Sequence, residues 1–145
     1  MPMQNLVAKA NAKYSEEFVL HTLFCALKAL QAMHLSGIVH GDIRAENVVC
    51  SADGTVKLVN LGIGVTLQEM AEYHKVRRVM PNWQAPEIIE GAPYTKEVDV
   101  WSLGCFAYEL ATGKQPFKMA NWTKLLDHIV KREAPSIPSR WSADL

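Results

Sequence analysis

Apolar residues at positions 19, 20, 23, 24, 27, 30 and 33 recur at the three-and-four spacing of a helix with a wide core-facing stripe. Ser15 stands where a cap is needed, Glu16 and Glu17 suit the positive end of the helix, and Gly37 marks its stop. Residues 1–13 show no apolar period and read as a loose lead-in. After Ile38 and Val39, two short β-rich runs at 48–50 and 56–59 flank Ser51-Ala52-Asp53-Gly54, a tight-turn signal that predicts a hairpin. Residues 60–84 are mixed in character and are expected to form a long loop, with a turn of helix near 67–71. A short helix is predicted at 85–89 with Pro86 in its first turn, broken at 90–93. The next helix is expected to take Thr95 as its cap, run to Thr112 and stop at Gly113. Its apolar positions (98, 100, 101, 103, 105–108, 110 and 111) go almost all the way round, as in a helix buried at the centre of a domain. Asp99 then needs partners inside the protein, and the backbone N–H groups of a nearby loop would satisfy it. A turn at 115–117 and a modest amphipathic helix at 122–131 follow. The end, 134–145, carries two prolines and finishes as another helix could begin at 142–145. The pattern is mainly α with one small hairpin.

Composition narrows this picture only a little. A chain of 145 residues holds one domain with a real core, and 49% hydrophobic residues is ordinary for a globular fold. Fifteen basic residues balance fifteen acidic ones, so nothing global points to nucleic acid or an anionic membrane surface. Cys25, Cys50 and Cys105 are scattered in apolar runs without a C-x-x-C pair, which reads as buried free thiols and a cytoplasmic or otherwise intracellular setting. The amino terminus lacks a long apolar stretch, so no signal peptide is expected. The most apolar segment, 98–111, is too short and too interrupted to span a bilayer.

Chemistry concentrates at residues 38–62. Asp42, Arg44 and Asn47 lie within six positions, and Asn60 follows the hairpin. Compact polar groups so spaced suit a site that holds a phosphate, a divalent cation and a hydroxyl together. For an isolated Asp or Asn in a loop, bonding to its own backbone is the more ordinary role. Order decides between the two. HGDIRAEN at 40–47 is similar to the H-R-D-L-x-x-x-N catalytic loop of protein kinases. Asn60-Leu61-Gly62 stands where D-F-G is expected, Ala85-Pro86-Glu87 matches A-P-E, and DVWSLG at 99–104 matches the start of the central buried helix. Over residues 14–145 the chain resembles the carboxy-terminal lobe of a eukaryotic serine/threonine protein kinase. The resemblance implies a mainly α large lobe, a helical bundle around a buried central helix with one small β-hairpin. It implies ATP and Mg²⁺ as cofactors and a protein substrate or partner, with no nucleic acid and no membrane. Asp42 would orient the substrate hydroxyl and accept its proton. Arg44, in place of the usual lysine, would face the transferred phosphate. Asn47 and Asn60 would stand at the nucleotide and metal positions. His40 is expected to be a packed structural histidine.

Several departures accompany the matches. Asn60 replaces the metal-binding carboxylate, Gly41 the arginine that receives a phosphorylated activation loop, and Met80 a threonine before A-P-E. Thr66 and Tyr73 remain as hydroxyls open to modification. No G-x-G-x-x-G-x-V loop and no V-A-I-K lysine precede the first helix, so the nucleotide-covering small lobe is not in these residues, and Glu87 lacks the arginine that would pair with it further on. ATP and Mg²⁺ are therefore expected to bind weakly or not at all, and the chain to be inactive or weakly active. The alternative is a pseudokinase module that docks a partner protein through residues 60–84 and the helix at 121–132; a chain too incomplete to fold stably is a third. Gly62-Ile63-Gly64 fails as a dinucleotide-binding motif because the third glycine is missing. The basic residues at 74–78 read as a solvated loop, and His34, His74 and His128 lack metal-ligand spacing.

Overall fold

A computed structural model describes residues 1–3, 5, 14–60, 65–66, 80–92, 95–131, 134–135, 139 and 141. Helix α1 spans Glu16–Leu35, and the Ser15 side chain accepts from the Phe18 backbone N–H at 3.3 Å, as its sequence predicts. Strands β1 (Ile38–Val39), β2 (Val48–Cys50), β3 (Val56–Leu58) and β4 (Val65–Thr66) follow, then short helix α2 (Pro86–Ile89), long helix α3 (Glu97–Thr112) and α4 (Trp122–Lys131). Two 3₁₀ turns, Ala45–Asn47 and Pro81–Trp83, complete the described elements.

The predicted hairpin is present: β2 and β3 pair antiparallel with Val48 opposite Leu58. A second two-stranded sheet was not predicted. Val65–Thr66, inside the expected long loop, pairs antiparallel with Ile38–Val39, and two residues are too few for any periodicity to register. The expected helical turn at 67–71, the basic cluster at 74–78 and the carboxy-terminal helix start at 142–145 lie outside the described residues.

Helix α3 is the centre of the packing. Phe106 and Leu110 join Val19, Leu30, Ile43, Ala45 and Val48 in one fully buried cluster. Val98 meets Val39 and Ala85 in a second, and Cys105 meets Trp83, Phe117, Leu125 and Ile129 in a third. One helix thus serves three apolar clusters, which is why its sequence is apolar nearly all round. Burying a side chain the size of Phe106 contributes about 1.5–3 kcal/mol. The helix stops at Gly113, whose φ of 69° is a left-handed conformation that glycine adopts without a Cβ clash.

Three expectations need correction. The lead-in is not loose throughout: Met1 and Cys50 exchange backbone hydrogen bonds, Pro2 bridges Val49, and Met3 is fully buried against the first cluster. Thr95 does not cap α3; Lys96 holds the cap position without a side-chain bond, and the Thr95 hydroxyl donates to the Glu97 carboxylate instead. The wide stripe of α1 is only partly core. Val19, Ala26 and Leu30 are buried with Thr22, whereas Leu20, Phe24 and Leu27 are exposed. With Leu35 and Val100, also exposed, Phe24 and Leu27 border a groove of about 600 Å³ beside α3. By length and composition alone α1 would pass for a membrane-crossing helix. Of the cysteines, Cys105 is buried, its thiol pushed up to about 12 by burial and the nearby Glu109 charge, while Cys25 and Cys50 are half-buried.

Candidate active site

The segment after β1 is anchored from below by α3. Asp99 is fully buried, and its Oδ2 accepts from the His40 backbone N–H at 2.9 Å while Oδ1 accepts from the Gly41 N–H at 2.8 Å. These are the loop N–H partners that its buried position demanded. His34, at the end of α1, adds a third contact at 2.7 Å, so one carboxylate ties α1, α3 and the loop together. Gly41 has φ 75°, and its lack of a Cβ makes that backbone inexpensive where the family motif carries arginine.

His40 is fully buried and acts as a structural clamp. Its Nδ1 accepts from the Asp42 backbone N–H at 3.3 Å, so the proton sits on Nε2, which donates to the Val59 carbonyl at 3.2 Å. Val59 is held from its other side as well, its N–H donating to the Asn47 carbonyl at 2.9 Å. The catalytic-loop segment and the end of the hairpin are thereby locked to one another, which brings Asp42, Asn47 and Asn60 together.

The side chains of those three form a directional chain. Asn47 Nδ2 donates to the Asp42 carbonyl at 2.8 Å and to Asp42 Oδ2 at 2.7 Å. With its nitrogen committed to two acceptors, Asn47 must turn its oxygen the other way. That oxygen accepts from Asn60 Nδ2 at 2.7 Å. Asn60 adopts φ 63°, a left-handed backbone that asparagine tolerates better than most residues. Asp42 is half-buried and Asn47 buried, so the first two members are shielded while Asn60 stands at the surface.

Arg44 is engaged elsewhere. Its guanidinium lies 4.5 Å above the Trp83 ring and pairs with the Glu46 carboxylate, and its Nε is buried without a hydrogen-bond partner among the described residues. Facing a transferred phosphate, as the resemblance implies, would require it to leave both contacts. Trp83 is itself fixed: its Nε1 donates to Glu109 Oε2 at 3.1 Å and its carbonyl accepts from Ser102 Oγ at 2.8 Å. Glu109 Oε2 also accepts from the Ala45 N–H at 3.1 Å. Burial raises the Glu109 pKa, against the lowering effect of these two donors. Sequence reasoning passed over Glu109 and Trp83 as site-forming residues. A carboxylate on a buried helix must be paired, and that signal marks Glu109 as it marks Asp99. Among the described residues no cation pairs with Glu87.

The donor set does not fit a divalent cation. Mg²⁺ wants oxygen ligands, usually with one or two carboxylates. Asn47 Oδ1 faces an N–H donor, Asn60 Oδ1 lies on the opposite arm of the carboxamide that bonds Asn47, and Asp42 Oδ2 is tied to Asn47. Among the described residues no group of three or more His, Cys, Asp or Glu could hold a metal ion.

A helical lobe built on a central α3, with an H-x-D-x-x-x-x-N loop anchored by a buried aspartate, defines a protein kinase-type large lobe. The protein kinase domain model matches residues 2–143, and the chain belongs to the protein kinase family. It is 35% identical over 129 residues, 89% of its length, to the serine/threonine-protein kinase ppk11 of Schizosaccharomyces pombe, of which that covers 41%. It is 33% identical over 138 residues, 95% of its length, to mouse serine/threonine-protein kinase Nek1, covering 12% of that protein. Over 133 residues, 88% of its length, it is 37% identical to serine/threonine-protein kinase fray2 of Dictyostelium discoideum, covering 13%. The chain thus spans less than half the length of these curated relatives.

Proposed function

We propose that this chain is a serine/threonine kinase-type domain that engages a protein and, as residues 1–145, transfers phosphate negligibly. Phosphoryl transfer is mostly positioning plus neutralisation of charge on the moving group. Positioning is well provided for: Asp42 is held by Asn47, and its Oδ1 has no partner among the described residues, which suits an acceptor for a hydroxyl proton. Neutralisation is what fails. The observation that carries the reading is Arg44, the one Lys or Arg in residues 38–47, whose guanidinium is held by Glu46 and Trp83. ATP would meet no free cation from this loop. A protein partner, an intracellular setting and the docking role of the domain belong to the same proposal.

The test is transfer from Mg·ATP to a generic protein substrate by the purified 145-residue chain. The expected result is no incorporation above background, unchanged by Asp42→Ala. Metal-dependent incorporation that Asp42→Ala abolishes would overturn the reading.

A further inference from the structure

We infer that Asn60 is an internal stand-in for the metal ion, so that the site is closed to divalent cations by a hydrogen bond rather than merely weakened by a lost charge. The inference rests on the kinase-family reading of this loop but not on the loss of transfer.

Replacing a carboxylate by a carboxamide could leave a poorer site that still accepts a cation, because an amide oxygen can ligate Mg²⁺. The geometry here is different. Asn47 Nδ2 faces the two Asp42 acceptors at 2.8 and 2.7 Å, which fixes the orientation of the Asn47 amide and directs its oxygen to Asn60. The group that meets that oxygen at 2.7 Å is therefore an N–H donor, the positive end of a dipole, where a cation would have to sit. A cation approaching Asn47 Oδ1 must displace this donor and would gain from Asn60 only a neutral oxygen in return. Were Asn60 to flip so that its oxygen faced Asn47, two acceptors would oppose each other and the bond would be lost. The backbone adds to the preference, since Val59 is held from both sides by His40 and Asn47 and sets where Asn60 projects. The relay also does the positional work that a shared ion would do: it links the end of the hairpin to the loop and, through Asn47, steadies Asp42. The exchange is thus self-consistent, with one amide serving as both plug and strut.

The same geometry says what would reopen the site. Asn60→Asp exchanges the donor for a carboxylate opposite Asn47 Oδ1, which is unfavourable on its own and favourable with a cation between them.

Mn²⁺, without nucleotide, is the probe, and paramagnetic broadening of the Asn47 side-chain amide signals in NMR spectra of the 145-residue chain is the readout. In the native chain millimolar Mn²⁺ is expected to leave the Asn47 and Asn60 side-chain amides unbroadened. In Asn60→Asp the Asn47 amide signals are expected to be lost at Mn²⁺ concentrations that leave the native chain unchanged. Selective broadening of both amides in the native chain overturns the proposal, and so does an Asn60→Asp chain that folds yet gains no broadening. If Asn60→Asp does not fold, the native titration alone decides in the same two directions. Because no ATP is present, transfer activity and metal refusal are read separately: an active chain that refuses Mn²⁺, or an inactive one that takes it, tells which of the two readings has failed.

Discussion

At His40, burial and charge pull the proton in opposite directions. Burial lowers its pKa below 6.5, more than the Asp99 charge, the Val59 hydrogen bond and the Asp42 charge raise it. The folded chain therefore keeps a neutral imidazole where the unfolded chain would protonate. Its contribution is fully present above pH 6.5 and is lost as pH falls through the folded-state value. Glu109 runs the other way: its pKa is raised above 4.5, so its contribution is largest below 4.5 and is lost as pH rises through the folded-state value. Thermal unfolding followed from neutral pH to about pH 5 is expected to show the native melting temperature losing ground to that of His40→Gln, since the Glu109 contribution is common to both chains; a constant difference would refute the assignment. Spacing placed Asp42, Asn47 and Asn60 around one hairpin, and the fold does bring the three side chains together. Their hydrogen-bond directions were not legible in the sequence, because which amide arm faces which neighbour is settled only by all partners at once. The orientation of Arg44 was hidden for the same reason: its partner Trp83 lies 39 positions away and is fixed through Glu109 on a third element.

At the scale of elements, α3 shows how far a pattern can reach. Its all-round apolar sequence correctly placed it at the centre, and the lone Asp99 within it correctly demanded loop N–H partners. Asp99 closes three elements with three hydrogen bonds, so Asp99→Asn, which turns an amide N–H toward donors, is expected to cost about 3 kcal/mol in chemical denaturation, whereas a loss under about 1 kcal/mol would show that the junction holds without it. The β1–β4 sheet was not legible because its strands are two residues each and their pairing is non-local. Helix α1 misled in a different way. Periodicity reports which face is apolar but not whether a neighbour covers it, and Phe24, Leu27 and Leu35 are 59%, 51% and 84% exposed.

For the whole molecule, the packing of a kinase-type large lobe can be told apart from the groups that stand at its catalytic positions. Among the described residues three clusters converge on α3, and the buried Asp99 fastens the loop to it. Arg44 contacts Trp83 and Glu46, and Asn60 bonds Asn47. In the reading proposed above, these groups brace the lobe where they would otherwise answer a phosphate or a cation. In the inference drawn above, this bracing replaces the ion. A crystal structure grown in millimolar MgCl₂ puts that to the test. Asn60 Nδ2 is expected to remain bonded to Asn47 Oδ1 with no ion between them; density for Mg²⁺ on Asn47 Oδ1, with Asn60 turned to offer its oxygen, would overturn it.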